Sequence, residues 1–406
     1  MTGPGIDVRL LTADDDLEPE VDLAERAFGG TRRDRHLRRA RGLIADGRLI
    51  GVFDGPALVA SAWYFDMRQW WHGRSLPMAG VAAVKVAPEE RGRGVGRAMM
   101  TALLQQVAGR GYPLSVLYPA ANGVYRATGW EFGGGQYEVT VPSRALRSLV
   151  APDPAAGLAD PGTTPVRRAG PADAAEMIAV DGALAAAARA CGPITYSAAD
   201  LAPLLSDDVF CYLAPDGSLA YGWNRSQDEV LAYSVAAGSA ATFRSLWSVL
   251  ASHATMVGNV RAFVAPDSPL TWLTSQPDVR LRRKDAWMLR LVDAPAAIAG
   301  RGFPAGAVVT AALTLADDQL PANAGRWLLE ISGGKGLLSR ADGGSAALPA
   351  GGGEPLRLGP RGLAALYSGT PLATLRIAGL VGGGEPAADA ALDEAFGCTA
   401  YMYDYF

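Results

Sequence analysis

Three arginines alternate with glycines in one short segment whose chemistry suits the binding of an anion. The segment follows a strand-length apolar run at residues 79–86 and leads into residues 95–107, where apolar side chains recur at helical spacing. A glycine-rich turn before a helix exposes unpaired backbone N–H groups at the positive end of the helix dipole. We therefore predict an anion site made of Arg91, Gly92, Arg93, Gly94, Val95, Gly96 and Arg97.

The spacing of these glycines favours some anions over others. A dinucleotide-binding fingerprint has the pattern GxGxxG and an acidic residue about twenty positions later. Here the glycines fall as GxGxG, and residues 116–118 at the later position are Val, Leu and Tyr. A nicotinamide site is therefore disfavoured. The segment either binds another phosphate-containing ligand or is an ordinary glycine-rich turn without a ligand.

The same segment resembles a cofactor loop of a known superfamily. Arg-Gly-x-Gly-x-Gly after Val84-x-Val86 resembles the acyl-CoA pyrophosphate loop of the GNAT acetyltransferases. The resemblance implies that acetyl-CoA is the acyl donor. It also implies that the backbone of Val84, Lys85 and Val86 pairs with the pantetheine arm.

A second motif lies about thirty residues further along the chain. The sequence Asn-Gly-Val-Tyr-Arg-Ala-Thr-Gly-Trp, which begins at Asn122, resembles the Asn…Tyr-x-x-x-Gly-aromatic segment of the same superfamily. By resemblance, Asn122 belongs to the cofactor site and Tyr125 protonates the departing CoA thiolate. Thr128 stands where these enzymes often have an aromatic residue. The alternative for Tyr125 is a tyrosine that only packs in the core.

The 406 residues suggest two or three domains. Four prolines fall within residues 149–165, which can form neither a helix interior nor a central strand and are therefore predicted to be a linker. Two short patterns before this linker recur after it at offsets of 158 and 162, which indicates a duplication. We predict three domains, at residues 1–150, 151–287 and 288–406.

This order of domains resembles the enhanced intracellular survival (Eis) family. The resemblance implies an α/β (α+β) fold with tandem GNAT-like domains, the second degenerate, followed by a sterol-carrier-protein-like α+β domain. Further similar segments are Asp66-Met67-Arg68, residues 289–297, residues 366–369 and residues 392–396. Residues 235–243 of the second copy lack a basic glycine-rich loop, so we expect one active site per chain.

The chain ends on aromatic residues, whereas most termini are polar and frayed. Tyr401, Tyr403 and Tyr405 alternate at strand period, which predicts a packed end. The Eis resemblance implies that the α-carboxylate of Phe406 accepts a proton from the acceptor amine. The alternatives are a terminal strand that only completes a sheet, or Asp404 as the base.

Composition disfavours several classes of protein. The formal charge of −4 disfavours a nucleic-acid binder. Three histidines without HExxH or CxxC patterns disfavour a metal site. Cys191, Cys211 and Cys398 are an odd, scattered set that indicates a reducing compartment. No signal-peptide pattern or long apolar run occurs, so we expect a cytoplasmic protein with no membrane span.

The acceptor follows mainly from the resemblance, which implies a homohexamer acting on aminoglycoside- or polyamine-like primary amines and possibly on lysine. The amine would attack the thioester directly, through a tetrahedral intermediate. A lipid- or small-molecule-binding protein with a vestigial GNAT domain is the alternative, against which the intact loop and Tyr125 argue.

Two sequence features bear on the acceptor pocket. The basic run at residues 31–41, with arginines from Arg32 to Arg41, falls in a region that borders the acceptor pocket in the family. It would repel polycations there, unless it is a solvated helix face. Four aromatic residues are candidate pocket walls or core residues: Trp63, Tyr64, Trp70 and Trp71.

Overall fold

The protein is a mixture of strands and helices, as the sequence predicts. The computed structural model describes residues 5–29, 33–150, 162–205, 209–224, 226, 228–273, 279–341, 354–384 and 386–406. Residues 31 and 32 of the basic run and residues 151–161 of the predicted linker lie outside this part of the chain. Within it, no helix is long and apolar enough to cross a bilayer.

The strands alternate with helices along much of the chain. The strands are β1 (Ile6–Leu10), β2 (Leu49–Asp54), β3 (Ala57–Trp71), β4 (Arg74–Val86), β5 (Leu114–Leu117), β6 (Glu131–Pro142), β7 (Arg167–Ala169), β8 (Cys191–Tyr196), β9 (Phe210–Ala214), β10 (Gly217–Trp223), β11 (Val230–Ala237), β12 (Asn259–Phe263), β13 (Arg280–Leu291), β14 (Val309–Leu315), β15 (Gly325–Ser332), β16 (Lys335–Arg340), β17 (Leu356–Leu358) and β18 (Val381–Gly382). The helices are α1 (Glu18–Phe28), α2 (Arg33–Ala45), α3 (Val95–Gly109), α4 (Asn122–Arg126), α5 (Ser143–Val150), α6 (Ala174–Ala187), α7 (Ala198–Leu201), α8 (Ala240–Ala251), α9 (Leu270–Leu273), α10 (Ala294–Gly300), α11 (Pro360–Tyr367), α12 (Leu372–Ile377) and α13 (Pro386–Phe396).

A single sheet joins the first two predicted domains. Its order is β1-β2-β3-β4-β5-β13-β6-β12-β11-β10-β9-β7, and β8 pairs with the end of β3. Both faces of β3 are largely buried, and helix α3 packs against this part of the sheet. The buried residues of α3 recur at helical spacing, as the sequence predicts: Val95, Met99, Met100, Leu103, Leu104 and Val107.

The sheet has two halves of matching topology. Strands β4 and β5 are parallel in the first half, and β11 and β12 are parallel in the second. Between the halves, β13 pairs with β5 and β6 pairs with β12, so each half contributes a strand to its neighbour. Where the two halves meet, Thr140 of β6 is opposite both Arg261 of β12 and Arg280 of β13. The matching halves agree with the predicted duplication, although the predicted boundary between residues 287 and 288 falls inside β13.

The C-terminal region has its own five-stranded sheet in the order β16-β15-β14-β17-β18. It packs on the first half through aromatic side chains in one shared core. The ring of Trp71 contacts Tyr367 edge-on at 4.8 Å and Trp287 at 6.3 Å. The buried guanidinium of Arg290 also bonds both carboxylate oxygens of Asp317 at 2.7 Å, which ties β13 to the loop after β14.

Candidate active site

Strands β4 and β5 separate partway along their length. They pair from Met78 and Leu114 to Val81 and Leu117, where β5 ends while β4 continues to Val86. On its other edge β4 still pairs with β3, for example at Lys85 opposite Ser61. Within the described residues, no strand covers the β5 side of residues 82–86. This wedge leaves an extended backbone edge at the place of the predicted pantetheine contacts.

The side chain of Lys85 turns away from this edge into the core, where it is 2% exposed. Its Nζ lies 2.5 Å from Oε1 of Glu20 and 4.5 Å from the ring centre of Trp63. Glu20 also accepts a hydrogen bond from Ser61 at 3.2 Å and contacts the ring of His36. Lys85 can therefore contribute only its backbone to a cofactor site.

The glycine-rich loop begins beside the open end of the wedge. After a single 3₁₀ turn at Pro88–Glu90, Gly92 and Gly94 adopt φ values of 80° and 83°, which favour glycine. Gly94 precedes α3 and has no side chain that could cap the first N–H groups of the helix. Val95 is buried, and a Cβ atom at Gly96 would lie 3.4 Å from Val86.

The three arginines of the loop differ in their surroundings. Arg93 contacts Glu90 and lies 3.7 Å from a carboxylate oxygen of Asp54. The exposed side chains of Arg91 and Arg97 have no hydrogen bond or ion pair with any described residue. Two of the three guanidinium groups are therefore available to an anion.

Tyr125 packs next to the wedge, in one apolar cluster with Val84, Val86 and Val124. It lies on α4, is 5% exposed, and its backbone oxygen accepts a hydrogen bond from the hydroxyl of Thr128 at 3.1 Å. Burial, followed by the neighbouring Tyr405, raises the pKa of Tyr125 to about 12. The phenol is therefore protonated at neutral pH, as a general acid must be. Asn122 is exposed at the start of the same helix.

The last eight residues pass between β6 and β8. Tyr401 N donates to the oxygen of Cys191 at 2.9 Å, and Met402 N donates to the oxygen of Gly135 at 3.0 Å. A Cβ atom at Gly192 would lie 2.4 Å from the oxygen of Tyr401, so the two backbones are in close contact. The predicted strand alternation is limited to one bridge, between Gly135 and Tyr401. Hydrogen bonds to neighbouring segments, rather than a regular strand, hold the chain end.

The chain end reaches the base of the wedge. A Cβ atom at Gly80 would lie 3.0 Å from the ring of Phe406, and Gly80 is one residue before the last β4–β5 pair. The rings of Tyr405 and Phe406 pack on Tyr118 at 4.4 and 5.7 Å. The hydroxyl of Tyr118 donates to the backbone oxygen of Asp404 at 2.6 Å. The structure thus brings Phe406 and Tyr125 to the same pair of strands, although Tyr405 is 65% exposed.

A cavity of about 1930 Å³ lies on the other side of this chain end. Asp404 and Tyr405 line it, whereas Tyr125 and the wedge do not. Its wall also includes residues 233–237 of β11. These residues extend beyond the pairing of β11 with β12, which is limited to residues 230–232. The charged groups of the wall are mixed: Asp181, Asp267, Asp404, Arg35, Arg189 and Lys284.

Two of the cavity carboxylates are strongly affected by burial. Burial, with a further contribution from Asp181, raises the pKa of Asp404 to about 7. Burial likewise raises the pKa of Asp181 to about 6, although Ser218 donates a hydrogen bond to it at 2.5 Å. In the sequence analysis, Asp404 is only the alternative to Phe406 as the base. Nothing in the sequence points to Asp181, which lies in the alanine-rich helix α6.

Only one of the four aromatic wall candidates lines the cavity. Trp70 does so, and its Nε1 donates to Oγ1 of Thr195 at 2.9 Å. Trp63, Tyr64 and Trp71 are buried in the core. Packing is therefore the correct interpretation for these three residues. Of the basic run, Arg35 lines the cavity.

The second half of the sheet lacks the loop. Only Gly238 and Ser239 connect β11 to α8, and Oγ of Ser239 caps the helix by accepting from Thr242 N at 3.2 Å. The degenerate second copy is therefore confirmed. Among the described residues, no group of three or more His, Cys, Asp or Glu side chains could hold a metal ion.

Comparisons with known proteins agree with this architecture. Residues 7–133 and 206–291 each match an acetyltransferase (GNAT) domain, and residues 294–402 match a sterol carrier protein domain. A solved GCN5-related N-acetyltransferase from Kribbella flavida is 40% identical, with 99% of both chains covered and a TM-score of 0.87. N-acetyltransferase Eis of Mycobacterium tuberculosis is 30% identical over 64% of this chain and 67% of its own length. An N-acetyltransferase of Streptomyces avermitilis is 29% identical over 80% and 83%.

Proposed function

This chain belongs to the Eis family of GNAT N-acetyltransferases, and we propose that it transfers the acetyl group of acetyl-CoA to a primary amine of a small molecule. One observation carries the proposal: the wedge, the arginine-glycine loop, Tyr125 and the chain end converge on β4 and β5. The wedge has a free backbone edge for the pantetheine arm, and the loop has unpaired N–H groups and two free arginines for the pyrophosphate. An unliganded glycine-rich turn would need none of these features.

The amine attacks the thioester directly, through a tetrahedral intermediate. Tyr125 holds the proton that the departing CoA thiolate needs, and its burial beside Val86 keeps that proton in place. Positioned acid–base groups of this kind contribute roughly 10²–10⁴-fold in rate. We place Asn122, Val84, Lys85, Val86 and residues 91–97 in the cofactor site.

Two carboxylates are available to accept the amine proton. The first is the α-carboxylate of Phe406, whose ring lies against Gly80, but a free α-carboxyl has a pKa of about 3.3–3.7 and is a weak base. Asp404 faces the cavity, and burial raises its pKa to about 7, which matches a general base at neutral pH. We propose that the α-carboxylate of Phe406 orients the amine and accepts its proton, with Asp404 as the alternative proton acceptor.

The cavity beside the chain end is the proposed acceptor site, because Tyr405, which lines it, is also a neighbour of Tyr125 at the wedge. Asp181, Asp267 and Asp404 offer three carboxylates to an ammonium group, while Arg35, Arg189 and Lys284 oppose dense positive charge. Within the aminoglycoside-like, polyamine-like and lysine-like amines, this balance favours acceptors with few ammonium groups. A homohexameric assembly and a cytoplasmic location complete the proposal.

The test is an amine panel assayed by thiol release from acetyl-CoA, with the product identified by mass spectrometry. Tyr125→Phe should lower kcat by roughly 10²–10⁴-fold and leave CoA binding intact. Tyr221→Phe is a matched control, because Tyr221 is also 5% exposed with a pKa raised to about 12 by burial, but lies in the degenerate half. If no amine releases thiol while a lipid binds, the lipid-binding alternative is correct.

A further inference from the structure

Two cysteines far apart in the sequence meet at the edge of the cavity. Cys191 begins β8, Cys398 follows α13, and both line the cavity. The backbone N–H of His72 donates to Sγ of Cys191 at 3.3 Å, and the thiol of Cys398 donates to the backbone oxygen of Ser368 at 3.4 Å. Tyr401, three residues after Cys398, donates its backbone N–H to the oxygen of Cys191 at 2.9 Å, and each cysteine shifts the pKa of the other. The two cysteines therefore lie on neighbouring segments, with their thiols near enough to interact.

Beside them lies a buried arginine without a carboxylate partner. Arg301 is 1% exposed, and its Nη2 donates to the oxygen of Phe396 at 2.9 Å and lies 3.9 Å from Sγ of Cys398. Its Nε and Nη1 have no hydrogen-bond partner among the described residues. Four aromatic rings surround the guanidinium carbon at 4.9–5.4 Å: Trp71, Phe303, Tyr367 and Phe396.

A buried cation needs a counter-charge, because an unpaired one is costly. In the part of the chain that the structure describes, no carboxylate lies within ion-pair distance of Arg301. The acidic group next to it is the thiol of Cys398. The hydrogen bond with Cys191, and then the charge of Arg301, lower the pKa of Cys398 despite burial, while the same hydrogen bond raises the pKa of Cys191. Reactive cysteines occur in such electropositive surroundings.

We propose that Cys398 is an oxidation site and that Cys191 converts its oxidised form into a disulfide. The thiolate of Cys398 attacks one oxygen of a peroxide, the O–O bond breaks, and hydroxide leaves a sulfenic acid behind. The sulfur of Cys191 then attacks that of Cys398, the S–O bond breaks, and water leaves with the proton of Cys191. The two sulfurs lose two electrons and the peroxide gains them.

The disulfide would act on the chain end that follows Cys398. Tyr401 already donates a backbone hydrogen bond to Cys191, so the new bond would close a second link between β8 and residues 399–406. It would also replace the ionisable thiol beside Arg301 with a neutral disulfide. The position of the chain end would thus respond to peroxide. This inference does not depend on the proposed acceptor or on which carboxylate is the base.

The experiment uses the full chain and the reactivity of its own thiols. Reduced protein is treated briefly with iodoacetamide, and a second sample is treated with hydrogen peroxide and then alkylated. Both are digested with trypsin and chymotrypsin, because Tyr196 and Phe210 separate Cys191 from Cys211 at chymotrypsin sites. Cys211 is the internal control, since burial raises its pKa to about 11.

Cys398 should be alkylated at least about tenfold faster than Cys211. Peroxide should give linked peptides of Cys191 and Cys398, lighter by two hydrogens than the reduced pair, and dithiothreitol should reverse this. Cys211→Ser should keep the link, and Cys191→Ser should leave a sulfenic acid on Cys398 that a dimedone probe captures. Alkylation of Cys398 no faster than that of Cys211, or oxidation of Cys398 without a link to Cys191, would overturn the proposal.

Discussion

The buried pair of Lys85 and Glu20 predicts that Lys85→Met lowers stability and leaves cofactor binding intact. The Nζ–Oε1 distance is 2.5 Å, and both side chains are fully buried between β4 and α1. Removing one partner of a buried ion pair costs about 3–5 kcal/mol, because the other charge remains unpaired. Since Glu20 keeps its contacts with Ser61 and His36, we expect the lower end, about 3 kcal/mol.

The assay is urea unfolding followed by tryptophan fluorescence, together with acetyl-CoA kinetics. Lys335→Met is the matched control, because Lys335 is exposed at the β15–β16 turn and its loss should change stability by at most about 0.5 kcal/mol. The double variant Glu20→Gln, Lys85→Met should be more stable than Lys85→Met, because it leaves no buried charge unpaired. The KM for acetyl-CoA should stay unchanged in all of them.

The pH dependence provides an independent check. Burial alone would raise the pKa of Glu20, but the hydrogen bond from His36 and the charge of Lys85 lower it overall. The unfolded chain therefore binds the proton more readily, so this stabilisation is complete above the ordinary value of 4.5 and is lost as the pH falls through the folded-state pKa. The double variant should lose less stability on acidification. A Lys85→Met enzyme as stable as Lys335→Met, but with a raised KM for acetyl-CoA, would refute this reasoning.

Three further predictions concern the site itself. Arg91→Ala and Arg97→Ala should each raise the KM for acetyl-CoA about tenfold, which is the equivalent of one charge-assisted hydrogen bond. Arg93→Ala should have a smaller effect in the same initial-rate assay, because Arg93 is already paired with Glu90. Asp404→Asn tests the alternative base. If Asp404 accepts the proton, this variant should abolish the rise of kcat/KM with pH near 7, because a carboxylate whose pKa is about 7 accepts a proton only once ionised, whereas an unchanged pH profile excludes Asp404. A Gly-Ser tail appended to Phe406 should lower acetyl transfer by roughly 10²–10⁴-fold without changing the thermal midpoint, whereas full activity would exclude the terminal carboxylate.

The parts of the site that the sequence predicts best are local. The order of strand, glycine-rich turn and helix depends on the spacing of neighbouring residues, and the structure has β4, the loop and α3 in these places. Tyr125 likewise follows from a motif of nine residues. The conformations of Gly92 and Gly94 agree with this prediction, since both adopt positive φ values that favour glycine.

Features that depend on distant contacts could not be predicted in this way. The partner of Lys85 is Glu20, which lies on a different element, so the sequence does not indicate that this side chain is withdrawn from the wedge. Trp63, Trp70 and Trp71 are similar in sequence context, yet only Trp70 lines the cavity, because tertiary packing decides which aromatic face is covered. The exchange of β6 and β13 between the halves also has no local signal.

The duplication gives the second half a role even though it lacks the loop. Strand β11 continues to Ala237 after its pairing with β12 ends at Ala232, just as β4 continues to Val86 after its pairing with β5 ends at Val81. Both halves therefore contain a wedge. The first opens beside the arginine-glycine loop, and the second forms part of the cavity wall. Under the proposed function, one wedge holds the acyl donor and its degenerate copy helps to enclose the acceptor, with the aromatic chain end between them. Loss of the loop from the second copy then serves the reaction, because a second pyrophosphate site there would compete with the amine for the same space.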